Sequence, residues 1–127
     1  MKIKLSDLIK IIEDWAPKNF SEDFDNVGLI VGDKNSIINK ALITLDTSED
    51  VIDEAVKNNC NLIITFHPII FSGLKKITTE TYVERVVLKA LKNNINIYAI
   101  HTNLDNHPKG VNYIISKKLN LKNVSFL

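Results

Sequence analysis

Apolar and polar positions follow two different rhythms along this chain. Near the amino terminus Leu5, Leu8, Ile9, Ile12, Trp15 and Ala16 recur every three or four positions, which stacks them on one face of a helix. That helix is predicted to start near Ser6 and to stop before Pro17, whose ring and missing N–H end it. An irregular acidic stretch, "KNFSEDFDN", follows; then "VGLIVG" reads as a short strand between glycines and "GDKNS" as a turn. From residue 40 the rhythms alternate. "KALITLD", "NLIITF" and "INIYAI" are aliphatic and β-branched strands. "TSEDVIDEAVKNNC", "TETYVERVVLKALKNN" and "GVNYIISKKLNL" have helical spacing. Thr47 or Ser48 is placed to cap the first of these helices, and Tyr82, Val83, Val86, Val87 and Leu91 form the apolar side of the second.

Strand, helix, strand, helix, strand, helix at this spacing predicts an α/β fold, a largely parallel or mixed sheet with helices packed on it. Its strands should be apolar on both faces, as "ALITL" and "LIITF" are. In open sheets of this kind ligands bind beyond the carboxyl ends of the strands. The residues there are Asp46, then His67, then His101 with Asp105.

These residues suit metal or acid–base chemistry. Pro68 restricts the backbone beside His67 and holds its side chain in a set direction, so His67 is read as a metal ligand or catalytic group. His101 and Asp105 are four apart and face one volume whether "TNLD" is a turn or a helix. Imidazole and carboxylate together suit zinc, manganese or iron better than magnesium. Plainer readings stand beside these. Asp46 suits a helix start, Asp105 an Asx turn, His101 an orienting role, and His107, in a polar loop, is expected to be solvated.

Composition narrows the partners. The 127 residues are enough for one domain with a core, and 45% hydrophobic with 24% charged is the balance of a soluble globular protein. Net charge is +1 and Arg85 is the single arginine, so neither nucleic acid nor membrane is an expected partner. Cys60 is the sole cysteine and is expected to be a small packed thiol. No run approaches the ~20 apolar residues of a membrane helix, and the expected location is the cytoplasm. Phosphate-loop, dinucleotide-binding and nucleophile-elbow patterns are missing, which leaves metal-assisted chemistry among enzyme classes.

"DNVGLIVG" (25 to 32), "LITLDTSEDVIDEAV" (42 to 56), "HPIIFSGLKKI" (67 to 77) and "YAIHTNLDN" with "GVN" (98 to 112) together resemble the GTP cyclohydrolase I type 2 family, the Nif-three-like dinuclear metal-centre proteins. The resemblance runs in register over essentially the whole chain, 1 to 127, as a single domain similar to that family's amino-terminal lobe. It implies a mixed α/β fold, two divalent metal ions in a cleft, and a toroidal homohexamer. It makes His67 the second histidine of the first metal motif and Asp105 the metal-bridging acid. His101 lines the same cleft, and Asp25 and Asn26 match a motif near it.

Two departures follow from the same resemblance. Phe66 stands where the family has its first histidine, and the family's remaining histidine and glutamate lie in a part of a chain about twice this long. The expectation is therefore a metal-binding protein of hydrolase ancestry with an incomplete or altered centre, with a second polypeptide as a source of the missing ligands. In intact relatives a metal-activated water would attack a nucleotide-like substrate while His101 shuttles protons. The alternative is a non-catalytic scaffold or interaction protein that keeps the fold.

Overall fold

The computed structural model describes residues 2–125. Strand β1 (Ile3–Lys4) runs directly into helix α1 (Leu5–Trp15), and a 3-10 turn (Lys18–Phe20) follows. Then come β2 (Gly28–Val31), β3 (Ile37–Ile38), β4 (Ala41–Thr44), α2 (Glu49–Lys57), β5 (Leu62–Thr65), α3 (Tyr82–Lys92), β6 (Asn96–Ala99), α4 (Thr102–Asp105) and α5 (Val111–Lys118). β4, β5 and β6 pair in parallel, and β2 lies antiparallel to β6, in the order β2-β6-β5-β4. β1 and β3 form a separate antiparallel pair. The sheet is thus mixed, and its three parallel strands carry the rim residues.

Local chemistry sets the boundaries. Ser48 Oγ accepts from Val51 N at 3.1 Å, and Thr81 Oγ1 accepts from Glu84 N at 3.2 Å, capping α2 and α3. Both helices end in Asn-Asn, whose second residue, Asn59 or Asn94, takes the left-handed conformation. The next amide, Cys60 or Ile95, then reaches back to the carbonyl of Ala55 or Ala90 at 2.8 and 2.9 Å. These are Schellman closures, and they turn each helix straight into the following strand. Gly32 is required where it stands: its φ is +116°, and a Cβ there would lie 2.1 Å from Asn96 Oδ1.

Alternate strand residues feed two cores. Ile63 and Ile97 pack with Ile52, Val86, Val87 and Ala90 beneath α2 and α3. Leu62, Tyr98 and Ile100 pack with Leu5, Ile12 and Ala16 beneath α1. Full burial of one such aliphatic side chain contributes roughly 1.5–3 kcal/mol. Cys60 is buried in the first core, as expected of a packed thiol.

Three expectations are corrected. β4 is apolar but covered on one face only. As the edge strand it leaves Ile43 79% exposed, with Leu45 also exposed beyond it. Tyr82 and Leu91 lie at the border of the α3 apolar face, half exposed; the Tyr82 hydroxyl donates to the Thr47 carbonyl at 2.6 Å. His107 is not simply solvated, because its ring lies 6.3 Å from Trp15 and 5.9 Å from Phe20, and its Nδ1 accepts from Lys109 N at 3.0 Å.

The connection from α4 to α5 is tight. A Cβ on Gly110 would fall 1.8 Å from the Leu104 carbonyl oxygen. α5 itself buries no residue and leaves Tyr113, Ile114 and Ile115 about half exposed. Among the described residues no helix is long and apolar enough to cross a membrane.

Candidate functional site

The parallel strands stop in step, and backbone bonds fix where each chain leaves the sheet. Phe66 N donates to Thr44 O at 3.1 Å, His67 N to Leu45 O at 3.0 Å, and Ile100 N to Thr65 O at 2.9 Å. The first polar side chains past these bonds are Asp46, His67 and His101. The structure brings the two histidines together, with ring centroids 5.6 Å apart and planes at 75°.

Each imidazole is tethered through Nδ1 to a carboxylate. His67 Nδ1 is 2.7 Å from Asp46 Oδ1, and His101 Nδ1 is 2.9 Å from Asp25 Oδ1. An ionised carboxylate only accepts, so Nδ1 carries the proton and donates. In the neutral form of either ring, Nε2 then keeps its lone pair. This is the arrangement in which histidine serves as a metal ligand or a base.

The two pairs differ in setting. The side chains of His67 and Asp46 are 47% and 66% exposed, whereas those of His101 and Asp25 are 19% and 0% exposed. Asp25 accepts further bonds from Thr102 N at 3.0 Å, from Thr102 Oγ1, and from Asn26 N at 2.7 Å. Burial pushes its pKa up, but the bonds from Thr102, His101 and Asn26 outweigh burial and hold it below the ordinary carboxylate value of 3.8. The neighbouring Asn26 donates from Nδ2 to the Ile70 carbonyl at 2.6 Å, fastening the loop that leads away from His67. The far end of that loop is fastened by Glu84. Its carboxylate accepts from Thr78 Oγ1, from Thr78 N at 3.1 Å and from Glu80 N at 3.3 Å. Those bonds, the Thr78 hydroxyl first, lower the Glu84 pKa against the effect of burial.

Phe66 completes the cluster. Its ring meets His67 edge-on at 5.1 Å and His101 at 5.3 Å, so three rings stand in a near-equilateral triangle. On another side Phe66 lines an apolar hollow of about 330 Å³ with Trp15, Ile43, Ile64, Ile100 and Leu104. Beside Asp46, the Thr47 hydroxyl is buried without a hydrogen-bond partner among the described residues.

Asp105 ends α4, one helical turn beyond His101. Its amide donates to the His101 carbonyl at 3.2 Å, and its own carbonyl accepts from Asn112 Nδ2 at 3.1 Å. Asp105 borders a second hollow with Asn112, Tyr113 and Val124, whose lining includes neither His67 nor His101. Among the described residues no three His, Cys, Asp or Glu side chains are gathered into a group that would hold a metal ion. The centroid separation of His67 and His101, 5.6 Å, is near the about 5 Å of two imidazoles that share one tetrahedral ion.

Sequence reasoning placed Asp46 on the rim, as a helix-start residue or a carboxylate facing the crevice, and Asp25 near the cleft without a role; the cap of α2 is Ser48, and Asp46 holds His67. Their function as histidine partners has no local signal, since Asp25 and His101 are 76 positions apart.

Comparison with known proteins gives this geometry relatives. The model of the Duf34/NIF3 (NGG1p interacting factor 3) family matches residues 3–127. A GTP cyclohydrolase 1 type 2 homolog of Clostridium acetobutylicum is 46% identical over 127 residues, covering 100% of this chain and 47% of that protein. One from Staphylococcus epidermidis is 40% identical over 125 residues, covering 98% and 34%. Among solved structures, a Bacillus cereus protein related to NIF3 superposes with a TM-score of 0.88 at 38% identity, over 95% of this chain and 34% of that one. Reduced HcgD from Methanocaldococcus jannaschii superposes with a TM-score of 0.88 at 33% identity, over 97% and 49%. The chain thus spans half or less of the length of these relatives.

Proposed function

Because the chain belongs to the Duf34/NIF3 family, we propose that it is a divalent-metal-binding protein of hydrolase ancestry whose centre lies at the His67–His101 rim and is altered or incomplete. His67 and Asp105 are the residues that would hold zinc, manganese or iron, with His101 beside them as a third ligand or as the proton-handling group. When bound, such an ion lowers the pKa of water and neutralises charge that develops on a substrate. The chain's own residues do the rest. Asp46 and Asp25 engage Nδ1 of the two imidazoles, which leaves Nε2 of each ring as the atom turned to ligand or proton. Phe66 excludes water from one side of the pair.

The observation that carries this reading is the pairing of two carboxylate-tethered imidazoles with their ring centroids 5.6 Å apart. Titration calorimetry of zinc and manganese into chelator-stripped protein tests it. Weak binding with little or no turnover of nucleotide substrates is expected. Submicromolar binding at two sites per chain would contradict an altered centre, and no binding at all would remove the metal altogether.

A second reading, a non-catalytic scaffold or interaction protein, is favoured by the absence of a three-donor group among the described residues and by the unburied apolar residues of α5. Assembly as a homohexamer and a second polypeptide that supplies further ligands both belong to this proposal. Light scattering separates them: a metal-free hexamer supports the scaffold, and a monomer that assembles only with another chain supports the split site. A cytoplasmic setting suits the lone reduced thiol of Cys60. The near-neutral charge and single arginine argue against nucleic acid and membrane partners.

A further inference from the structure

We propose that the dipeptide Asp25–Asn26 is the positioning unit of the histidine pair, with Asp25 setting the protonated nitrogen of His101 and Asn26 setting the course of the loop that leaves His67. The proposal rests on reading His67 and His101 as one site.

Three observations converge on it. The Asp25 carboxylate is fully enclosed and surrounded by donors: Thr102 N, Thr102 Oγ1 and Asn26 N besides His101 Nδ1. A carboxylate so fixed offers His101 an acceptor and nothing else, which leaves the ring a single neutral form, with hydrogen on Nδ1. Second, Asn26 crosses to the other strand end, and its amide holds the Ile70 carbonyl at 2.6 Å, three positions beyond His67. Third, the pair of residues is contiguous. One short stretch of backbone therefore spans the ends of β5 and β6 and ties the residues flanking both rings to a common frame.

A plainer role exists for Asp25 as a turn residue, since its amide donates to the Glu22 carbonyl at 3.0 Å. That role uses the backbone alone. It accounts neither for the bond to His101 nor for the reach of Asn26.

Long-range proton–nitrogen NMR of the imidazoles in the chelator-treated protein, at about pH 8 and so above the ordinary histidine pKa of ~6.5, reads the effect directly. His107 is an internal reference of opposite form, because its Nδ1 accepts from Lys109 N and its hydrogen sits on Nε2. The wild type should show His101 as a single Nδ1–H form. Thr102→Val, which leaves the imidazole contact in place, should retain it, and Asp25→Ala should convert it to the averaged signal of a solvated ring. Asn26→Ala should move the carbonyl carbon resonance of Ile70 and the amide resonances of residues 69–74 while leaving those of β5 unchanged. Where wild-type protein takes up zinc, Asp25→Ala should weaken uptake by about ten- to a hundredfold, the range for loss of a histidine-orienting partner.

A wild-type His101 with hydrogen on Nε2 or in mixed form overturns the proposal, as does an Asn26→Ala protein whose resonances over residues 69–74 are those of the wild type. Should Asp25→Ala fail to fold, those two results still decide. A wild-type protein that holds the Nδ1–H form and takes up no zinc supports the positioning role and overturns the metal reading.

Discussion

His67 and His101 make the same bond, Nδ1 to a carboxylate, in opposite surroundings. The His67–Asp46 pair is open to water, where an ion pair or charge-assisted bond contributes ~0–1 kcal/mol because solvent screens it and the side chains keep their freedom. The Asp25 carboxylate is enclosed with four donors aimed at it, and removing an acceptor there strands every one of them. The difference teaches where rigidity in this site comes from. One imidazole is built into the fold, and the other is attached to its surface.

The largest test of that contrast is Asp25→Ala, expected to lower stability by about 3 kcal/mol, within the range for breaking a buried charge network; urea unfolding followed by far-UV circular dichroism measures it. Acid should expose the same asymmetry without mutation. The Asp25 pKa is depressed in the folded protein, so its contribution is fully present above the ordinary value of 3.8 and is lost as pH falls through the lower folded value. Unfolding midpoints taken from neutral pH downward should therefore fall at the acid end, with a shallower fall in Asp25→Ala.

Phe66→His probes the ring that touches both histidines. Restoring a third imidazole should tighten zinc binding at least tenfold, read by calorimetry, and an unchanged affinity would show that the ring at 66 faces away from the ligand. Asp46→Ala should cost less than about 1 kcal/mol in the same urea experiment; a loss matching that of Asp25→Ala would erase the contrast. The smallest effect is expected for Thr47→Val, which replaces an unpartnered buried hydroxyl by a methyl. It should be neutral or stabilising by up to about 1 kcal/mol.

Much of this was legible in the chain itself, for local reasons. The alternating rhythms from residue 40 onward are short-range signals, and the caps at Ser48 and Thr81 depend on residues three positions away. The rim was legible because parallel strands must end together. What stayed hidden was non-local. Nothing near "DN" at 25 and 26 says that it meets His101 and Ile70, 76 and 44 positions on. The bare face of β4 was hidden too, because aliphatic residues look alike on a covered and an uncovered side. The two-residue strands β1 and β3 are shorter than any periodicity can register.

The open flank of β4 has a consequence for handling the protein. On its outer side the backbone of Ala41–Thr44 has no strand beside it among the described residues, and Ile43 stands out to solvent next to it. Such a border is a template for another extended chain. A preparation of these 127 residues by themselves should therefore be colloidally fragile when concentrated, and a single lysine at position 43 should make it easier to keep in solution.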